Sequence, residues 1–458
     1  MIDTQAIRKK ILDLALRGKL TEQLPEDGTA EELFQRIQQE KSIQKKTGKR
    51  KKGEPDASSE QEDIPFELPL SWMWVEIGEI FTLHAGKNIT ADRIADKQSD
   101  LYSYPCYGGN GLRGYVEQYN TSGIHALIGR QGALCGNINF AEGDFYATEH
   151  AVVVEVYAET DTIWAGLFLR ALNLNQYATS VAQPGLAVNK IEKVLIPLPP
   201  ISEQKRIVEK IESSYSVLDT IDTLQNQYQD NLATLKSKII DAGIQGKLTE
   251  QLPENGNAEE LYQQIHTNQG IEKKDIADIN ADLPEIPFTW CWVHLGDIVR
   301  VLGGKRIPAG RKLTTEDTGH KYIRISDMKN RSVDAEKLLF VPEDIYPSIA
   351  QYIIHKEDVY ITVAGTIGRV GKIPESVDGA NLTENADRLV FSNLDQDWLI
   401  YCLTSTFVQK QIEYLTTQVA QPKLAIKRIQ EFLLPLPPFA EQKRIVAKLE
   451  ELLPLCEG

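Results

Sequence analysis

The chain has 458 residues, 42% of them hydrophobic, and a net charge of −15. That length accommodates two or three domains with real cores, and the acidity argues against a protein that coats nucleic acid by bulk attraction. No apolar run approaches the roughly 18 residues of a membrane span. The first residues carry no signal-peptide pattern, and the five cysteines show neither a CxxC nor a metal-ligand spacing, so the expected setting is the cytoplasm with reduced thiols.

Residues 1–63 open with a short apolar stripe, Thr4, Ile7, Ile11 and Leu14. The block Gly18-Lys19-Leu20-Thr21-Glu22-Gln23-Leu24-Pro25-Glu26 and a second helix from Ala30 follow it. A basic run, Lys45 to Gly53, and an acidic stretch to Asp63 read as a solvated linker or as a phosphate-contacting arm. Residues 64–200 form a first globular segment with a charge of −6, opening Ile64-Pro65-Phe66 and then Trp72 and Trp74. Short β-type runs such as Ala151–Val156, Gly-rich turns and a late helical stretch at 163–173 predict a mixed α/β domain. Its edge carries Ala182-Gln183-Pro184 and Pro197-Leu198-Pro199-Pro200, the Pro pair forming a rigid helix entrance.

Residues 201–285 carry a charge of −8 and begin with Glu203-Gln204-Lys205-Arg206-Ile207-Val208. One helix is predicted over 202–243, stopped by Gly243 and Gly246. Ile211, Ser214, Leu218, Ile221, Gln225, Tyr228, Leu232, Leu235, Ile239 and Ala242 recur at alternating three- and four-residue steps, the seam of a coiled coil. Such a helix is about 60 Å long and cannot bury its stripe alone. It runs into Gly246-Lys247-Leu248-Thr249-Glu250-Gln251-Leu252-Pro253-Glu254, the earlier block returned at an offset of 228. Residues 286–438 form a second, neutral globular segment, opening Ile286-Pro287-Phe288 with Trp290 and Trp292 and ending in helical residues 396–415. Ala420-Gln421-Pro422, Pro435-Leu436-Pro437-Pro438 and Glu441-Gln442-Lys443-Arg444-Ile445-Val446 then repeat the first edge at an offset of 238. Residues 439–458 begin another helix, which halts after some 18 residues where its copy continues for about 40. The chain is either truncated there or leaves the amino-terminal helix partly unpaired for a partner.

Catalytic signatures are missing. Gly365 to Lys372 has the wrong spacing for a phosphate loop, and Gly108-Gly109-Asn110-Gly111 lacks a βαβ context. No Asn/Asp-Pro-Pro-aromatic motif appears, which an amino-methyltransferase would use to hold a flipped base. His150, after Glu149, is a capped or loop histidine before it is a general base.

The paired Pro-Leu-Pro-Pro…Glu-Gln-Lys-Arg-Ile-Val and Gly-Lys-Leu-Thr-Glu-Gln blocks resemble the specificity subunit of type I restriction–modification systems, over essentially the whole chain. The resemblance implies an α+β architecture: two mixed α/β target-recognition domains separated by long antiparallel coiled-coil helices, with pseudo-two-fold symmetry. Each domain would read one half of a bipartite DNA target. The helices would dock two modification (methyltransferase) subunits and, through them, the restriction (motor-nuclease) subunits. It implies no catalysis and no cofactor on this chain, with S-adenosylmethionine, ATP and Mg held by the partners. The rivals are a fragment of a fused restriction–methylation enzyme and a coiled-coil adaptor with no DNA role.

Base readout favours forked or paired donors. The loop candidates for DNA contact are Lys87, Asn88, Asn110, Arg113, Arg130 and Gln131 in the first domain. In the second they are Lys305, Arg306, Arg324, Lys329, Thr366, Arg369 and Asn385. Gln183 and Gln421-Pro422-Lys423 recur in both frames and suit phosphate positioning or frame-building. Partner binding is assigned to the seam residues Leu218, Ile221, Tyr228 and Leu232, with Ile7 and Ile11. The return helix of residues 1–41 is expected to pair with the helix that begins at 439.

Overall fold

The computed structural model describes residues 1–47, 64–132, 134–178, 185–269, 283–416 and 423–457. It divides into two compact units, Met1–Asn226 and Gln227–Gly458. The linker run 48–63 and the repeated Ala-Gln-Pro triplets, with Gln183 and Gln421, lie outside the described residues.

Unit 1 contains strands β1 (Met73–Glu76), β2 (Thr82–Ala85), β3 (Tyr104–Gly108), β4 (Gly111–Val116), β5 (Thr121–Ser122), β6 (His125–Gly129), β7 (Ile138–Ala141), β8 (Asp144–Ala147), β9 (Ala151–Glu155) and β10 (Leu195–Leu198). They form an antiparallel sheet β2-β9-β6-β7, a mixed sheet β4-β3-β8-β5 in which β3 and β8 run parallel, and the pair β1-β10. Helix Thr162–Ala171, capped by Asp161, buries Trp164 and Phe168 against the antiparallel sheet. Its core is continuous with Leu33 and Ile37 of helix Ala30–Thr47 and with Ile207 and Ile211 of the long helix Ile201–Ile244.

Unit 2 contains β11 (Cys291–His294), β12 (Arg300–Gly303), β13 (Lys321–Ile323), β14 (Met328–Lys329), β15 (Ser332–Val333), β16 (Leu339–Phe340), β17 (Ile353–Ile354), β18 (Val359–Thr362), β19 (Val370–Lys372), β20 (Ala380–Leu382), β21 (Ala386–Val390) and β22 (Leu433–Leu436). Its sheets β12-β21-β18-β19 and β16-β13-β20-β17, with β13 and β20 parallel, reproduce the order and sense of unit 1. The two interiors, so unlike in sequence, therefore share one topology. The hairpin β14-β15 is an addition: in unit 1, β3 turns directly into β4.

The repeated blocks turn out to be two halves of a lock. Glu203 is fully buried, and its carboxylate accepts from Thr21 Oγ1 (2.9 Å), Gln23 Nε2 (2.8 Å) and Trp72 Nε1 (2.7 Å). Glu441 accepts in the same way from Thr249 Oγ1 (3.0 Å), Gln251 Nε2 (2.6 Å) and Trp290 Nε1 (2.9 Å). A carboxylate removed from water needs such donors, and each block supplies what the other lacks. Gln204 and Gln442 follow suit, each accepting from the backbone N–H of the Asp that caps the next helix, Asp161 or Asp395.

The long helix ends at Ile244, and Gly246 closes it in a left-handed conformation (φ 72°), as Gly18 closes Thr4–Leu16 (φ 62°). Helix Thr4–Leu16 packs antiparallel on the first half of the long helix. Thr4 Oγ1 donates to Asp222, Arg8 binds Asp219 (2.7 Å) and Asp222 (3.3 Å), and Tyr215 Oη reaches Arg8 O. In unit 2, helix Phe439–Leu452 packs on the second half, with Ile445 and Leu449 against Gly243 and an ion pair from Lys236 to Glu457. The expected pairing of residues 1–41 with the helix begun at 439 is thus corrected. Each half of the long helix takes its antiparallel partner from within its own unit, because the Glu203 and Glu441 locks fix which block lies beside which helix.

Candidate functional site

In unit 1 four loops converge at one end of the sheets. Gly86 N donates to Ala151 O and Lys87 N to Ala147 O, laying this segment across the turn Thr148-Glu149-His150. A Cβ on Gly86 would lie 2.0 Å from Ala147 O, so only glycine fits the crossing. Thr148 N donates to Tyr107 O, Arg130 N to His150 O, and Tyr146 Oη to Asn88 O. Gly109 lies within close range of His150 O and Gln131 O. The structure thereby brings Lys87, Asn88, Asn110, Arg113, Arg130 and Gln131 into one neighbourhood, all exposed except the half-buried Arg130.

Unit 2 repeats this crossing. Gly304 N donates to Ala386 O, Lys305 N to Leu382 O, and Val363 N to Asn385 O. A Cβ on Gly304 would again lie 2.0 Å from a carbonyl oxygen, that of Thr383. The turn here is Thr383-Glu384-Asn385-Ala386, the counterpart of Thr148-Glu149-His150-Ala151. Lys305, Arg306 and Asn385 share this neighbourhood. Arg306 is paired with Glu384 at 2.5 Å while its side chain stays largely exposed.

The remaining unit 2 candidates separate into two sets. Thr366 and Arg369 are exposed on the loop from β18 to β19, and Arg369 and Lys329 line one groove beside the β14-β15 hairpin. Arg324 stands apart. Its guanidinium binds Asp327 (2.7 and 2.9 Å) and Lys337 O (3.1 Å), and this pairing raises its pKa. That fork closes a single helical turn, with the side chain partly exposed.

Two residues of the shared turn went unnoticed as site candidates, Glu149 and Glu384. Glu149 Oε1 lies 3.2 Å from His150 Nε2, while Glu149 Oε2 and His150 Nδ1 are buried without a partner among the described residues. Asn139 Nδ2, beside Gly111, is orphaned in the same way. The signal was the recurrence of Gly-Lys and Thr-Glu-X-Ala. Their offsets of 218 and 235 match neither 228 nor 238, because insertions of different length separate them from the edges.

Among the described residues no group of three His, Cys, Asp or Glu could hold a metal. Burial pushes the Cys106 thiol up to about 11, and that of Cys402 higher still. Near the frame end of unit 2, burial pushes the Asp387 carboxyl up to about 6, against the opposing pull of Lys423.

The helices present a second surface. Leu218 is buried, on the side where Tyr215, Asp219 and Asp222 meet Thr4–Leu16, so it serves the chain's own helix pair. Ile221, Leu232 and Ile11 are half-buried. Tyr228 and Ile7 are exposed, and with them Val217, Leu224 and Leu235, an apolar stripe of four- and seven-residue steps along the long helix. No helix among the described residues is long and apolar enough to cross a membrane.

Residues 69–229 and 287–456 match the family described as the type I restriction modification DNA specificity domain. The EcoprrI specificity subunit of Escherichia coli is 49% identical over 150 residues, 33% of this chain and 36% of that protein. The EcoEI specificity subunit of Escherichia coli is 24% identical over 98% of this chain and 89% of its own length. A chain from a solved structure concerning complex assembly and conformational transition of the type I R-M system superposes with a TM-score of 0.59 at 18% identity, covering 86% of this chain and 93% of that one, and so shares its fold.

Proposed function

The chain belongs to the type I restriction–modification DNA specificity family, and from that premise we propose that it is a non-catalytic specificity subunit whose two units each read one half of a bipartite DNA sequence. The observation that carries this reading is the duplicated crossing of Gly86-Lys87 over Thr148-Glu149 and of Gly304-Lys305 over Thr383-Glu384. One frame carries different side chains at matching places. Arg130 in unit 1 and Val363 in unit 2 both donate their backbone N–H to the residue after the Glu, yet only Arg130 offers a forked donor. A scaffold repeated with altered tips is what two readers of unlike half-sites require.

In this reading Lys87, Asn88, Asn110, Arg113, Arg130 and Gln131 serve the first half-site and Lys305, Arg306, Thr366 and Asn385 the second, with Lys329 and Arg369 contacting DNA beside it. Exposed apolar residues of the long helix, Val217 and Leu224 in unit 1 and Tyr228 and Leu235 in unit 2, dock modification subunits, which carry S-adenosylmethionine. Restriction subunits supply ATP- and Mg-dependent cleavage, and the assembly works in the cytoplasm. The purified chain neither methylates nor cuts DNA. The test is a methylation map of a methyl-free host expressing the chain with its modification subunit. A bipartite methylated motif that changes in one half when residues 64–200 are exchanged supports the reading; methyl transfer by the chain alone refutes it.

A further inference from the structure

In unit 2 the hairpin β14-β15 borders a groove of about 610 Å³, lined in part by Lys329, Arg331 and Arg369 and, among the described residues, by no Asp or Glu. In a chain of net charge −15 this is a local exception. The groove is also built with some care for rigidity. Its hairpin turns on two residues, Asn330 and Arg331, both with positive φ (51° and 58°). Asn tolerates that conformation, but the second place is one where glycine is the usual occupant and a Cβ is penalised. The chain keeps an arginine there.

Everything around Arg331 fixes it. Lys372 N donates to Arg331 O (3.1 Å), and Tyr360 Oη donates to Ser332 O (2.9 Å). Gly371 admits the close approach, since a Cβ there would lie 2.4 Å from the Arg331 carbonyl carbon. The guanidinium carbon rests 4.9 Å from the centroid of the Tyr401 ring. A guanidinium has five N–H donors, more than one ring contact can occupy. Lys329 meets Asp334 at 3.4 Å, but neither Arg331 nor Arg369 forms an ion pair among the described residues. A sparsely populated backbone conformation held at a pinned cation motivates a functional reading of the position.

We propose that this groove seats the phosphodiester backbone of DNA, with Arg331 and Arg369 as the anion donors and the hairpin as their rigid mount. The proposal rests on the reading of the protein as a DNA specificity subunit and adds a contact that unit 1, which lacks the hairpin, does not have. Phosphate contacts position a protein without reading sequence, so the two arginines should govern affinity and leave the recognised motif alone.

The test compares the full chain, in complex with its modification subunits, with Arg331→Gly and Arg369→Gln variants. Arg331→Gly removes the cation and suits the positive φ, so its thermal stability should be retained. Binding is measured by salt titration on a duplex carrying the mapped motif and on a scrambled duplex. Each variant should bind both duplexes roughly tenfold more weakly, with a salt slope smaller by about 1 and an unchanged methylation motif. Unchanged affinity and slope would overturn the proposal. So would a loss confined to the motif duplex with an altered motif, which would assign the groove to base reading. Failure of the unaltered complex to bind the motif duplex would instead refute the function itself, and the groove with it.

Discussion

Units 1 and 2 share a lock, a pair of sheets and a crossing, yet they differ in what surrounds each. In unit 1 the carboxylate of Asp27 holds Arg206 through two bonds of 2.6 Å, and Arg206 also reaches Glu22 O. In unit 2 the same place holds Asn255. Arg444 reaches Glu250 O, but its Nε and Nη2, and Asn255 Nδ2, are buried without partners among the described residues. Conversely, unit 2 buries the Asp387 carboxyl where unit 1 has Val152 in the matching strand. The lock is present in both units, whereas the Arg206–Asp27 pair and the side chain at the Asp387 position are not shared.

The largest effect should come from the lock. Glu203→Ala leaves Trp72 Nε1, Gln23 and Thr21 without their acceptor, and bonds to a charged group contribute about 1.5–3 kcal/mol each. A loss of about 3 kcal/mol or more is expected, and Glu441→Ala should cost unit 2 a comparable amount. Denaturant unfolding with one reporter per unit checks this. Should both variants unfold at wild-type midpoints, the lock is not what holds the blocks together.

Next in size is Asp387. Its folded pKa, about 6, lies above the ordinary carboxylate value, so the native state binds the proton more tightly than the unfolded one. That contribution is complete below about pH 4 and is lost as pH rises through 6, a difference of about 2–3 kcal/mol. Asp387→Asn should therefore raise the stability of unit 2 at pH 7 and flatten its pH dependence between 4 and 6, while unit 1 stays unchanged. Thermal melts across that pH range decide the matter.

Function should separate the units as well. Arg130→Ala is expected to reduce discrimination at one position of one half-site by about 1–3 kcal/mol. Val363→Ala, at the matching place, should leave the second half-site unaltered. Methylation mapping of the two variants would expose a failure of the shared frame if Val363→Ala changed the motif.

Much of this was legible in the chain because the lock is contiguous: Glu-Gln-Lys-Arg-Ile-Val and Gly-Lys-Leu-Thr-Glu-Gln are each read at a glance, and they are mutual partners. The long helix was legible for a similar reason, its period being local. The crossing of Gly86-Lys87 over Thr148-Glu149 was not, since its two halves lie some 60 residues apart and its copies stand at offsets of 218 and 235. The pairing of Arg324 with Asp327 was not legible either, because residue type alone does not say which neighbours a side chain folds onto. Leu218 misled because a seam pattern marks a buried face without saying whether the chain or a partner buries it.

The smallest predicted effect tests the comparison most directly. The Asp27 carboxyl is held below its ordinary pKa, chiefly by the bond from Arg206. Its contribution is therefore present above the unfolded value of about 3.9 and lost as pH falls through the lower folded value. Asp27→Asn should cost unit 1 about 1–2 kcal/mol at pH 7 and remove part of its acid sensitivity. Asn255→Asp is the reverse experiment, since a second carboxylate oxygen would give the buried Arg444 guanidinium the acceptor it lacks. It should stabilise unit 2 by about 1 kcal/mol at pH 7 and add an acid limb to those of the carboxylates already held low there, Asp334, Asp378 and Glu384. A gain at neutral pH without that limb would mean that the new charge acts at long range, and that Arg444 and Asn255 do not stand to each other as Arg206 and Asp27 do.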